Sequence, residues 1–216
     1  VVSIGSDLGL LYINRPASQE VHMPRDGSEA RAKILECAVE LVRKKGAHSV
    51  TVEAVAKAAE SAKGLVHYHF KTKKGLLSAV AHELSQSRIQ NWSAAFDSKS
   101  PTQAIDRSWR LLTKESANGT LRAWLTLVGS RESLADQSTN QALREFSESV
   151  GSMLLRMLED DMGLRPTVPA DEIGHLMVAV IDGIGLQLLG GAETDSLQGS
   201  YAAAWLGLLS LTEPIS

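Results

Sequence analysis

After Gly27 the apolar residues of this chain recur at helical spacing almost to its end. Ala30, Ile34, Ala38, Leu41 and Val42 make one stripe, closed by lysines and Gly46, which suit a helix C-terminus. Thr51 can cap a short second helix in which Val52, Val55, Ala56 and Ala59 face inward. A polar break at Glu60-Ser61 leads to a short third segment, "AKGLVHYHF", and Thr72 can cap a long fourth helix carrying Leu76, Leu77, Val80, Leu84 and Ile89. Ser100, Pro101 and Gln103 have the spacing of a capping box and open a fifth helix that ends at Asn118-Gly119. A sixth carries Leu121, Trp124, Leu125 and Val128. A seventh carries Leu143, Phe146, Val150, Met153, Leu154, Met157 and Leu158 and stops near Gly163. Pro169 begins an eighth, which ends at Gly190-Gly191, and the ninth runs from about Leu197 to Leu211. No strand pair joined by a hairpin turn is evident after residue 27. The pattern predicts an all-α fold with short connections.

Residues 1–27 lack clean periodicity and are punctuated by Pro16, Pro24 and Gly27, so they read as an N-terminal extension: a flexible arm, a short docked segment, or residues upstream of a natural start at Met23. The single cysteine, Cys37, lies in the first apolar stripe and reads as a buried, inert thiol; one cysteine allows no intrachain disulfide. No apolar run reaches the roughly 20 residues that span a bilayer, and the start lacks the basic residues of a secretory signal. These features predict a cytoplasmic protein without a membrane partner.

Charge changes the picture more. The net charge is −3 over 216 residues, but from Arg25 to Lys74 there are eleven basic and six acidic residues. That segment is therefore +5 and the remainder −8. A basic head on an acidic body suits a polyanionic partner. Two short helices joined by a tight polar turn, inside the basic segment, form a helix-turn-helix pattern. In that motif the first helix braces across the DNA backbone and the second enters the major groove.

At this point the chain resembles a family. "ILECAVELV…KG", Thr51, "VAKAA", "KGLVHYHF" and Lys73 followed by a Leu-Leu pair are similar to the head of tetracycline-repressor-type (TetR-type) transcriptional regulators, over Ala30 to Val80. The resemblance implies a helix-turn-helix DNA-binding domain at 28–74 and a helical body at 75–213. The body would bind a small molecule and form a homodimer through its last two helices. It implies that Lys63 supplies charge and Gly64 lets the backbone approach phosphate, that Leu65, His67 and Tyr68 face the groove, and that Tyr68 and His69 reach phosphates. Thr51 and Lys73 would meet the DNA backbone from helix N-termini, with Val66 and Phe70 as internal anchors. The chain departs from the family at Glu60, Ser61 and Ala62, where glycine, a small apolar residue and a capping hydroxyl are usual; here the cap could pass to Ser61. Leu65 stands where a hydroxyl residue is common, and could touch a thymine methyl.

In the body Trp109, Leu112, Trp124, Leu127, Met153 and Met157 suit the wall of an adaptable apolar cavity. Arg131, His175, Asp182 and Gln187 are polar on otherwise apolar helices. His175 and Asp182, seven apart and so nearly on one helix face, are the candidates to orient a ligand. No metal is expected: His67 and His69 are two apart on a helix and point away from each other. No cofactor or catalytic constellation stands out. The expected function is a ligand-responsive regulator, a repressor released from operator DNA by a small apolar or amphipathic molecule. The alternative is a helical ligand-binding protein or enzyme that has lost DNA binding, which Glu60 favours.

Overall fold

A computed structural model describes residues 27–98, 100–129 and 137–215. Residues 1–26 of the expected extension, and Arg131, lie outside the described residues. Within them nine α-helices follow one another: α1 Gly27–Lys45, α2 Val52–Ala58, α3 Lys63–Phe70, α4 Lys73–Phe96, α5 Pro101–Ala117, α6 Thr120–Val128, α7 Gln137–Arg156, α8 Ala170–Leu189 and α9 Thr194–Leu209. A one-turn 3-10 helix, Ala47–Ser49, follows α1, and α7 continues into a wider π-type turn at Met157–Asp161.

The expected caps at Thr51 and Thr72 form. Thr51 Oγ1 accepts from the Ala54 N–H and Thr72 Oγ1 from the Gly75 N–H, each at 3.0 Å. Two other cap expectations fail. No Ser100 side-chain cap closes α5, and Gln103 is instead engaged by the Ser98 hydroxyl at 3.2 Å, so no capping box forms. At α3 the cap position is Ala62, not Ser61, and no side chain caps the helix. The Ser61 hydroxyl is buried and has no hydrogen-bond partner among the described residues.

Two cores form. The first packs Ile34, Ala38, Val42, Val55, Val66 and Phe70 of the head against Leu76, Leu77, Val80 and Leu84 of α4, so the head's packing runs well into α4. The second begins at Trp92 and Phe96 and fills the space between α5 and α9. α4 belongs to both. A second joint links the two parts: α6 docks on the end of α1. The Ala47 N–H donates to Thr126 Oγ1 at 3.1 Å, and Arg122 Nη1 donates to the Lys44 carbonyl at 3.4 Å. The α5–α6 turn reaches that joint through Gly119, at φ 83°, whose Cα sits against the Arg43 carbonyl with no room for a side chain.

Within the body α7 and α8 cross at Gly151 and Gly174, where backbone meets backbone. The helical reading missed one feature. Residues Leu164–Pro166 (β1) pair antiparallel with Thr212–Pro214 (β2), held also by an Arg165–Glu213 ion pair at 2.7 Å. Three-residue strands containing proline carry no alternation to detect.

One helix is more apolar than the absence of a spanning run predicts. α8 is long and apolar enough to cross a bilayer by length and composition, with a mean hydropathy of 1.4. It nevertheless carries Asp182, paired into the body, and packs on α5, α6, α7 and α9, so it reads as a bundle helix.

Candidate functional site

α3 is short, begins without a side-chain cap, and turns its polar face outward. Val66 and Phe70, four apart, are its buried anchors, with the Arg31 guanidinium over the Phe70 ring at 5.2 Å. The opposite face carries Lys63, Gly64, Leu65, His67 and Tyr68, all exposed. Tyr68 is 69% exposed, unusual for a large aromatic, and its ring is touched only at its margins, by Lys71 at 5.3 Å and the His69 ring at 5.0 Å, among the described residues. A side chain at Gly64 would meet no protein atom within 4 Å. Packing therefore does not demand glycine there, although glycine weakens a helix. An object approaching from outside, such as a phosphate backbone, does give a reason for it.

Other expected residues fall in different places. Thr51 is exposed but its hydroxyl is engaged as the α2 cap. Lys63 is held by Glu53 on α2 at 3.0 Å, an exposed pair that a phosphate could replace. His67 Nδ1 lies 3.2 Å from the Lys71 carbonyl. Lys73 is half-buried at the first turn of α4. His69 does not join the outer face. One position before Phe70, it sits on the flank of α3 near Gly27, half-buried, with Nε2 shut from solvent and without a hydrogen bond among the described residues. The turn before α3 is distinctive. Glu60 has φ 52°, the left-handed region that favours glycine, and its carboxylate reaches Lys33 only at 4.0 Å.

The body centres on a residue that sequence reasoning missed. Arg88, on α4, is fully buried. Its Nε reaches both Glu115 carboxylate oxygens, at 3.2 and 3.1 Å, and its Nη2 lies 3.0 Å from Oε2. Its guanidinium is stacked between Trp124 (4.7 Å) and Phe146 (4.4 Å), and Nη1 faces Asp182 Oδ1 at 3.8 Å. Trp92 Nε1 donates to Glu115 at 3.2 Å and Trp124 Nε1 to Asp182 at 3.3 Å. The signal was present: Arg88 stands four from both Leu84 and Trp92 in the apolar stripe of α4, and Glu115 three from Leu112 in that of α5.

Of the expected ligand-wall residues, Trp109, Leu112, Trp124, Met153 and Met157 lie in the body core. Met153 and Met157 also back a groove between α4 and α7 that Phe96, Asp97, Glu148 and Asp160 help to line. Leu127 does not join them; it packs into the head core because α6 lies against α1. His175 is exposed. Although nearly in line with Asp182, it lies on the first half of α8, where α7 crosses; Asp182 lies where α5 and α6 cover the helix. Asp182 is the polar residue of α8 that reaches the interior, and burial pushes its carboxyl up, against the pull of Arg88 and the Trp124 hydrogen bond, with Glu115 adding to the rise. The Tyr201 hydroxyl, donating to Ser108 at 2.8 Å, is pushed up by burial to about 12.

The sequence profile for "Bacterial regulatory proteins, tetR family" matches residues 34–80. The chain is 26% identical over 185 residues to the HTH-type transcriptional regulator BetI of Brucella anthropi, covering 83% of this chain and 93% of that protein. It is 19% identical over 164 residues to the HTH-type nicotine-responsive transcriptional repressor HdnoR of Paenarthrobacter nicotinovorans, covering 74% of this chain and 83% of that protein. Its fold matches that of a transcriptional regulator from Rhodococcus sp. Rha1 with a TM-score of 0.71 at 16% identity, over 86% of this chain and 99% of the other.

Two outcomes follow from the geometry. Gly64→Ala should stabilise α3 by about 0.5–1 kcal/mol in urea unfolding while weakening binding to the upstream DNA of its own gene, a split that a purely structural glycine would not produce. Because the folded Asp182 binds its proton more tightly than the unfolded one, stability falls as pH rises through the folded pKa. Asp182→Asn should therefore melt above the parent protein at pH 7, and the advantage should vanish as pH falls below the unfolded pKa, about 3.9.

Proposed function

We propose that this chain, a TetR-type regulator in its DNA-binding head, is a ligand-responsive transcriptional repressor that leaves its operator when a small molecule enters the body. The observation that carries the reading is the outward face of α3: Lys63, Gly64, Leu65, His67 and Tyr68 are exposed on a short, uncapped helix inside the basic head. Leu65 and Tyr68 would meet base edges or sugars, while Lys63 and the open N-terminus of α3 would hold phosphate. The named relatives support regulation by a small molecule: HdnoR is nicotine-responsive by name. Work on operator DNA requires the protein to act in the cytoplasm, and the relatives' regulator names favour binding over catalysis.

A homodimer completes the reading. α9 buries one stripe, Leu197, Tyr201, Trp205 and Leu208, and leaves Gly199, Leu206 and Gly207 outward, and Leu186 of the neighbouring α8 is exposed as well. A side chain at Gly183, Gly199 or Gly207 would meet nothing within 4 Å, so a partner helix could approach closely. Two copies joined there would present two α3 helices to successive major grooves.

The rival reading, a ligand-binding protein that has lost DNA binding, draws on Glu60, a negative charge in a left-handed turn beside α3. Titration against the gene's own upstream DNA at rising salt separates them. The repressor should bind tightly at low salt and lose affinity steeply as counterions compete. Leu206→Asp should give monomers in sedimentation and cut operator affinity by about tenfold or more, since one half-site remains. Undetectable binding at low salt would leave the rival standing.

A further inference from the structure

We propose that the groove between α4 and α7 is the effector site and that it takes a bulky organic cation, an apolar body carrying one positive charge. The proposal rests on the ligand-responsive reading above and gives the ligand a place and a chemical class.

The groove has a volume of about 1110 Å³, room for a drug-sized molecule rather than a single ion. α4 supplies one wall; α7, with the wider turn that continues it, supplies the other. Its floor is apolar and soft: Ile89 and Phe96 from α4, Met153 from α7, and Met157 where the wider turn begins. Methionine sulfur and an aromatic ring are polarisable surfaces that accept varied shapes and attract positive charge. All four side chains belong to the body core or pack against it, so the floor is set by the fold itself.

The rim is acidic. Asp97 just past α4, Glu148 on α7, and Asp160 and Asp161 on the wider turn line it, and all four are exposed. None of the four makes an ion pair among the described residues. Arg156 is the one cation among the described lining residues, and it pairs with none of them. The lining therefore carries three negative charges in excess. A cleft of one sign of charge over a low-dielectric floor concentrates the opposite charge. That combination selects the occupant. An anion would meet the rim carboxylates. A neutral apolar molecule would cover the floor and leave the rim unanswered. A metal ion would leave the floor wet, and no carboxylate group among the described residues is arranged to hold one. A bulky organic cation answers floor and rim together.

The same geometry says how binding would be felt elsewhere. Nearer the head, α4 and α7 are tied where the buried Ser85 hydroxyl donates to the Ala142 carbonyl at 2.8 Å. The groove opens beyond that tie, and α4 carries the head core at Leu76 to Leu84 on the other side of it. A molecule seated in the groove presses on α4 past the tie. It would thus prefer a state in which α4 has shifted against α7, which is the differential affinity that regulation needs.

The test uses the full chain and three probes of similar shape: cationic tetraphenylphosphonium, neutral triphenylphosphine oxide and anionic tetraphenylborate. Thermal shift and calorimetry should show the phosphonium binding about tenfold or more tightly than the oxide, with the borate weakest. Glu148→Gln with Asp160→Asn should cut that preference to about threefold or less, and so should Ser152→Arg, which puts a positive charge on the groove wall. Glu193→Gln with Asp195→Asn removes as much charge from exposed positions at the start of α9, outside the groove, and should leave the preference unchanged. Equal binding of phosphonium and oxide by the parent protein, tighter binding of the borate, or no binding of the phosphonium would each overturn the proposal. So would a preference that survives the groove variants or falls equally with the α9 pair. Operator titration separates the two claims. Release of bound operator by the oxide or the borate, and not by the phosphonium, overturns the cation class and leaves the repressor. Phosphonium binding with the expected preference, in a protein that never holds operator, supports the groove site and removes the repressor.

Discussion

The body of this protein is assembled around one buried cation. Arg88 reaches from α4 to Glu115 on α5, lies between Trp124 of α6 and Phe146 of α7, and faces Asp182 of α8. A charge taken out of water is tolerated only where opposite charge and hydrogen bonds replace the solvent. That requirement fixes the rotation of α4 about its axis, because no other rotation brings Arg88 to Glu115. Five helices are therefore positioned by the needs of one side chain. Removing Arg88 alone would strand two carboxylates in an aromatic core.

The consequence for function lies in where Arg88 sits along α4. One end of that helix is packed into the head through Leu76, Leu77, Val80 and Leu84; the other is packed into the body through Trp92 and Phe96. Arg88 lies between the two cores. The head is held a second time where α6 meets the end of α1, through Thr126, Arg122 and the Gly119 turn. A head tied at two points moves when the body helices α4 and α6 move relative to each other, and Arg88 touches both. Regulation by population shift needs a bistable element of this kind rather than a long chain of contacts.

Much of this was legible in the sequence and some was not, for identifiable reasons. The nine helices followed from apolar spacing, and the Thr51 and Thr72 caps from residue type. Glu60 stood out because it occupies a turn that prefers glycine, and its backbone is left-handed there. His69 stands one residue, 100° of helix, from Tyr68, which carries it from the outer face to the flank of α3. His175 and Asp182 share a face by spacing, but spacing does not say which neighbours cover each end of α8. The β1–β2 pair joins residues 48 apart with three-residue strands, too short for a pattern. Arg88 and Glu115 were visible as charges in apolar stripes, but charged residues are so seldom buried that the stripe alone did not announce a pair.

The central claim, that the Arg88–Glu115 pair holds α4 against the body, is tested most directly by a double-mutant cycle in urea unfolding, with Arg88→Met and Glu115→Met. Arg88→Met should cost about 3–5 kcal/mol by leaving Glu115 and Asp182 without their cation, Glu115→Met should cost less because Asp182 still faces Arg88, and the double variant should cost less than the sum of the two by about 2 kcal/mol or more. Single losses below about 1 kcal/mol that simply add would contradict it, since that is the behaviour of a solvent-exposed pair with no organising role.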